Sequence, residues 1–248
     1  MRFLSSRTWQ FTYFAMQLND WNWRGKDILD FGGNIANILR DPNATIDEQR
    51  YWCLDVVDEA IEAGRSSYPK AHFHFYNRYC YFFNPTGVPG LRLPHLEARF
   101  DYVIAYSVFT NASRADMLDL VGQLKGMLKE GGTLAFTFID PHFHSFPEQN
   151  EGSNLFRRLK KIKSENPEVD IDALAKEAND SQWCVLVDND QLYVENEDIR
   201  YCPPGLQKSH YVFYTEKYLK ALFPDAIILP PANNEGQHCC VIKAAASG

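Results

Sequence analysis

The sequence predicts a doubly wound α/β fold around a mostly parallel sheet, and three observations predict it. Short apolar runs near 27–31, 50–56, 100–105 and 133–139 alternate with segments of helical spacing. The run from Thr133 to Ile139 is continuously apolar, as expected of a strand covered on both faces. Glycines, amides or acids stand at the ends of several runs, which is where ligands bind in open α/β sheets.

The elements follow in order. Residues 9–23 are aromatic-rich, and Trp9, Phe11, Tyr13, Phe14, Met16 and Leu18 predict an entry helix. Asp27-Ile28-Leu29-Asp30-Phe31-Gly32-Gly33 reads as a buried strand running into a glycine turn, with a helix beginning in 35–40. A second strand covers Arg50 to Val56, a helix 57–65 ends near Gly64, and a third strand covers about 71–76. Residues 84–96 hold Pro85, Pro89, Pro94, Gly87 and Gly90 and read as a loop.

Phe100 to Ala105 is the next strand. Met117, Leu118, Val121, Leu124 and Leu128 space a helix over 114–128, which Gly131-Gly132 is expected to close. Alternating strands and helices favour parallel pairing with right-handed crossovers. The alternation stops after Asp140-Pro141. Residues 145–180 are polar and partly helical, and 183–200 read as a hairpin around Asp188-Asn189-Asp190. A helix at about 215–223 and strands near 225–229 and 237–243 complete the pattern. The reading is one domain over 1–248, with 1–25 as a helical lid and 141–209 as an insertion or cap over the substrate side.

The net charge of −7 argues against a broad, non-specific surface for nucleic acid or anionic membrane. The six cysteines form no C-x-x-C pair, which suggests reduced thiols rather than a disulfide framework. Residues 1–10 lack the apolar core of a signal peptide, and no run reaches the roughly 18 apolar residues of a membrane helix. A soluble, cytoplasmic protein is expected.

Three segments carry candidate binding chemistry. In Asp30-Phe31-Gly32-Gly33-Asn34-Ile35-Ala36, small residues permit close backbone approach to a ligand, although a tight turn uses the same residues. Asp55 ends the second strand, where a carboxylate can accept from both hydroxyls of a ribose or can cap a helix. Asn77 follows the third strand, where an amide can read an adenine edge or simply form a turn. A nicotinamide fingerprint would need glycine at 34 and 37, where asparagines stand, and there is no Walker A sequence.

These segments, taken together, resemble class I S-adenosylmethionine-dependent methyltransferases. Ile28-Leu29-Asp30-Phe31-Gly32-Gly33-Asn34 resembles the first motif, and Tyr51-Trp52-Cys53-Leu54-Asp55 the second. Phe100-Asp101-Tyr102-Val103-Ile104-Ala105-Tyr106-Ser107-Val108-Phe109 resembles the fourth-strand motif. Leu128-Lys129-Glu130-Gly131-Gly132-Thr133-Leu134 resembles the lead into strand five. The resemblance covers about 26–140 and, more weakly, 211–243. The chain departs from it at Asn34 and Ala36, which replace two motif glycines, and at Glu130, which replaces a proline.

The resemblance implies a Rossmann-like sheet of seven strands with a reversed final hairpin, and S-adenosylmethionine as cofactor. It further implies Asp30, Gly32, Gly33 and Asn34 near the methionine moiety, Asp55 with Val56 at the ribose, and Asn77 near adenine. Tyr106, Ser107 and Val108 would line the cofactor, with Tyr13 closing over it or packing behind.

Methyl transfer chiefly requires an acceptor atom held in line with the S–CH3 bond, and an oxygen or nitrogen acceptor can also need a base. Asp140, His142 and His144 are the catalytic candidates, with His142 first and His210 behind them. Asp140-x-His142-x-His144 and His72-x-His74 also have a metal-like spacing, but no metal site is expected. Phe156-Arg157-Arg158-Leu159-Lys160-Lys161-Ile162-Lys163 could bind an anionic substrate or RNA, or be the solvated face of an amphipathic helix. The expected activity is methyl transfer to an oxygen or nitrogen of a small molecule or peptide. An RNA or protein methyltransferase and a non-catalytic cofactor-binding module are the alternatives. No nucleic-acid module is recognisable.

Overall fold

Alternation along the strands sorts the core into two layers, one on each face of a sheet. The computed structural model describes residues 8–80, 82–143, 153–165, 167–168, 170–179, 183–187, 191–194, 210–232 and 236–245. Its elements begin with α1 (Gln10–Leu18), β1 (Ile28–Phe31), β2 (Tyr51–Asp55), α2 (Asp58–Ser67), β3 (His72–Phe75), β4 (Phe100–Ala105), α3 (Arg114–Lys125) and β5 (Leu128–Ile139). There follow α4 (Asn154–Glu165), α5 (Ile171–Asn179), β6 (Trp183–Val187), β7 (Gln191–Val194), β8 (His210–Tyr214), α6 (Glu216–Leu222), β9 (Ile227–Leu229) and β10 (Gln237–Lys243).

Leu29, Phe31, Leu54, Val103, Phe136 and Cys240 face one way and pack with Met117 and Leu120 of α3 and Leu219 of α6. Ile28, Tyr51, Cys53, Ile104 and Cys239 face the other way and pack with Phe11 and Phe14 of α1 and Ile61 of α2. The adjacent Cys239 and Cys240 thus point to opposite faces. The entry helix is a core element, with Phe11, Phe14 and Ala15 fully buried.

Strands β3-β2-β1-β4-β5 pair in parallel in that order. β10 runs antiparallel beside β5, and β9 antiparallel beside β10. These seven strands form the expected sheet with its reversed final hairpin. The region 141–209 contributes α4, α5 and the antiparallel hairpin β6–β7, and β6 also pairs antiparallel with β8. Among the described residues, β8 joins β5 through a single pair, Ile139 with Phe213. Leu155 and Leu159 of α4 and Ile171 of α5 pack on that pair as a small separate core. No helix among the described residues is long and apolar enough to cross a membrane.

Two expectations give way. Gly131-Gly132 does not close α3, which ends before Gly126. The glycine pair lies within β5, where the register against β4 shifts between Phe100 and Tyr102. A Cβ on Gly132 would lie 2.7 Å from the Phe100 carbonyl oxygen, so the bulge requires glycine there. The helix expected in 35–40 is only a short 3-10 turn, Asn37–Arg40. Asn34 and Ala36 both have positive φ, at 55° and 61°, which prevents a regular helix from starting at the glycine turn.

Candidate active site

The parallel strands bring their carboxyl ends together around a cavity of about 840 Å³. Sites for small ligands commonly span about 300–1,000 Å³, so this one is of small-ligand size.

Gly32, Asn34, Asp55, Val56, Tyr106, Ser107 and Val108 all line it. Gly32 has φ +75°, and a Cβ there would sit 2.4 Å from Val108 Cγ2. Its N–H donates to the Leu54 carbonyl at 2.7 Å. The turns after β1 and β2 are tied by Asp55, whose Oδ2 accepts from Asn34 N at 2.8 Å and whose Oδ1 accepts from Val57 N at 2.9 Å. Each carboxylate oxygen keeps a further lone pair for a ligand hydroxyl. Burial pushes the Asp55 carboxyl above its usual range, against the pull of these N–H groups.

Asp30 and Gly33 lie beneath this turn and do not line the cavity. The Asp30 carboxylate accepts from Tyr51 Oη at 2.7 Å, and a Cβ on Gly33 would come within 2.6 Å of it. Burial pushes Asp30 up to about 7, with the Tyr51 hydrogen bond pulling it down and the nearby Asp55 charge adding to the rise.

The turn after β4 is strained, since Ser107 has φ +58° without being glycine. Its N–H donates to Thr137 Oγ1 at 2.7 Å, and its Oγ accepts from Gln237 Nε2 at 3.2 Å. Thr137 Oγ1 donates to Gln237 Oε1 at 2.5 Å. Strands β5 and β10 thereby hold the Ser107 turn open to the cavity. Tyr13 stays behind the wall, with its ring 5.3 Å from that of Tyr106.

Other expected residues lie elsewhere. Asn77 is exposed, and its Oδ1 accepts from Asn84 Nδ2 at 3.1 Å, while its neighbours Tyr76 and Arg78 line the cavity instead. Arg78 is buried in ion pairs with Asp116 and Asp119 of α3. His142 is exposed and outside the lining. Asp140 accepts from His142 N and from Glu216 N, each at 2.8 Å, so its carboxylate pins the loop after β5 to the start of α6. His144 lies outside the described residues, as does the side chain of His210. His72 and His74 stack on Trp52, with ring centroids at 4.1 and 5.5 Å, and do not line the cavity. Among the described residues, no group of three or more His, Cys, Asp or Glu side chains is placed to hold a metal ion.

At the far wall, Arg157 and Arg158 of the basic stretch line the cavity near Ile139, together with Asn154 of α4, Tyr211 of β8 and Gln237 of β10, which sequence reasoning missed. The signal for this wall was the pair of arginines set between the apolar Leu155 and Leu159.

No family model matches the sequence, and no curated protein sequence matches it. Solved structures do match its fold. The glycopeptide N-methyltransferase MtfA, solved with S-adenosylhomocysteine, superposes with TM-score 0.53 at 11% identity, over 96% of this chain and 89% of that one. An S-adenosylmethionine-dependent methyltransferase from Clostridium acetobutylicum ATCC 824 gives 0.52 at 11% identity, over 99% and 94%. The PH0226 protein from Pyrococcus horikoshii OT3 gives 0.51 at 12% identity, over 95% and 89%. The chain has the class I S-adenosylmethionine-dependent methyltransferase fold.

Proposed function

We propose that the protein is an S-adenosylmethionine-dependent methyltransferase acting on an oxygen or nitrogen atom of a small molecule or peptide. The observation that carries the reading is the placement of the Gly32 turn, the Asp55 carboxylate and the strained Ser107 turn around one cavity, at the ends of β1, β2 and β4. The likeness to MtfA, whose structure contains S-adenosylhomocysteine, supports it.

The residues fit the cofactor. Asp55 has lone pairs to accept from both ribose hydroxyls, and Gly32 leaves the approach to the turn free of a side chain. Val56, Tyr106 and Val108 supply apolar wall, and Asn34 and Ser107 supply polar groups. When bound, the cofactor supplies a methyl group made electrophilic by its sulfonium. The protein's share is alignment, with the β1, β2 and β4 turns fixing one partner while α4, β8 and Gln237 border the space for the other. The lack of any C-x-x-C pair and the buried free thiols of Cys53, Cys239 and Cys240 support a reducing compartment, the cytoplasm.

The test is calorimetric titration with S-adenosylmethionine and S-adenosylhomocysteine, with NAD as control. Saturable binding of the first two without NAD is the expected result and opens a screen of acceptors with labelled methyl groups. Binding of neither overturns the reading.

A further inference from the structure

We propose that the methyl acceptor carries an anionic group, a carboxylate or a phosphate, which seats on Arg157 and Arg158 of α4. This rests on the methyltransferase reading above.

The charges that line the cavity are unequally satisfied. Arg78 is paired with Asp116 and Asp119. Asp55 receives two backbone N–H bonds. Arg157 and Arg158 have no carboxylate within ion-pair distance among the described residues. Their partners are neutral. Arg157 Nη2 donates to Asn154 Oδ1, while its buried Nε has no partner. Arg158 Nη1 donates to the Tyr211 hydroxyl at 3.3 Å, with its guanidinium 4.2 Å from that ring's centroid.

A guanidinium stays charged, and withdrawing it from water without a counter-charge is costly. Here two line the same cavity. Burial and the charge of Arg158 both push Arg157 below its ordinary pKa, the direction expected for a site short of an anion. The arrangement is also fixed in advance. Asn154 Nδ2 donates to the carbonyls of Asp140 at 2.9 Å and Gly236 at 3.0 Å, which leaves its Oδ1 to orient Arg157. Two planar forks with spare N–H donors match the oxygens of a carboxylate or phosphate.

Position separates this charge from the cofactor end. Asp55 ends β2, whereas α4 packs on Ile139 at the end of β5, with β1 and β4 between. Three strand spacings amount to about 14 Å. That span leaves the reacting centre between the two ends.

The experiment uses the full chain. S-adenosylhomocysteine is titrated first, then benzoate, phenyl phosphate and neutral benzamide are titrated into the loaded and the unloaded protein. The expected result is that the two anions bind and benzamide does not. Arg157→Gln and Arg158→Gln should each weaken anion binding about tenfold or more, with Arg158→Lys retaining part of it. The affinity for S-adenosylhomocysteine should stay within about twofold. Thermal melts identify any variant that fails to fold, and Arg158→Lys keeps the test valid if a glutamine variant does.

Equal anion binding by wild type and variants, no anion binding at all, or equal binding of benzamide overturns the proposal. So does a parallel loss of S-adenosylhomocysteine affinity, which would give the arginines to the cofactor's own carboxylate. If wild type binds anions through these arginines but never binds S-adenosylhomocysteine, the cofactor reading fails and the anion's role as methyl acceptor fails with it, while the anion site stands.

Discussion

The Tyr13 hydroxyl donates to the main-chain carbonyl of Gln237 across 2.9 Å, joining the first helix to the last strand. The Gln237 side chain then bridges Thr137 and Ser107, so α1, β10, β5 and the cavity turn share one hydrogen-bonded chain. Burial pushes the Tyr13 hydroxyl far up in pKa, which keeps it a donor at all ordinary pH values. Tyr13→Phe leaves a buried carbonyl unpaired and should cost about 1–2 kcal/mol, read from the urea midpoint. Loss of cofactor affinity with no loss of stability would instead make Tyr13 a ligand contact.

Gly32 cannot accept a side chain. Alanine there meets Val108 Cγ2 and also has to adopt a left-handed backbone, so Gly32→Ala should lose about 2–4 kcal/mol. Val108→Ala in the same chain removes the clash but not the backbone strain. The double variant should therefore recover only part of the loss, and full recovery would show that backbone strain contributes nothing.

Asp55 ties the β1 and β2 turns and, on the proposed function, also holds the ribose. Asp55→Asn keeps one acceptor oxygen for the turn but loses the charge. It should weaken S-adenosylmethionine binding about 10- to 100-fold by calorimetry and, because its NH2 faces one of the two N–H donors, also cost about 1–3 kcal/mol of stability. Asp55→Ala leaves the N–H groups of Asn34 and Val57 without their acceptor and should lose stability as well. Unchanged affinity in both variants would remove Asp55 from the ribose.

Asp30 makes stability depend on pH in an unusual direction. Its pKa rises from 3.8 to about 7 on folding, so between these values the native state holds more protons than the unfolded state. Its contribution to stability therefore falls as pH rises through that window and levels off above about pH 7. Comparing wild type with Asp30→Asn at pH 4.5 and 7.5 should reveal a stability difference between the two pH values of about 3 kcal/mol that the variant lacks. Parallel curves would show that Asp30 is not a buried, proton-holding group.

The fold was legible because both sheet faces are covered. Leu29 and Phe31 serve one layer and Ile28 the other, so apart from Asp30 the strand reads as apolar on both faces. Gly131-Gly132 was misleading because a glycine pair after a helical run looks the same at a helix end and at a bulge. Only the register against Phe100 and Tyr102 tells them apart.

That Gly32, Asp55 and Ser107 share one cavity was legible because strand ends that are distant in sequence become neighbours in a parallel sheet. Asn77 failed by one position, since Tyr76 and Arg78 on either side line the cavity. Asp140 failed because a short acid in a turn is readily taken up by nearby backbone N–H groups, here those of His142 and Glu216. The basic stretch was legible as a candidate anion site, but the placement of Arg157 and Arg158 at the cavity depends on Leu155 and Leu159 packing against Ile139, a long-range contact.

Among the described residues, one ladder pair, Ile139 with Phe213, connects the β8-β6-β7 extension to the main sheet. Backbone amides in β1 and β4 have parallel neighbours on both sides and should exchange with deuterium only through global unfolding. Those in β6 and β8 should exchange through a smaller opening, at a free energy below the global value. That exchange pattern would put Arg157, Arg158 and Tyr211 in a different cooperative unit from Gly32 and Asp55. Sequence change at that end of the cavity can then proceed with little penalty to the stability of the other.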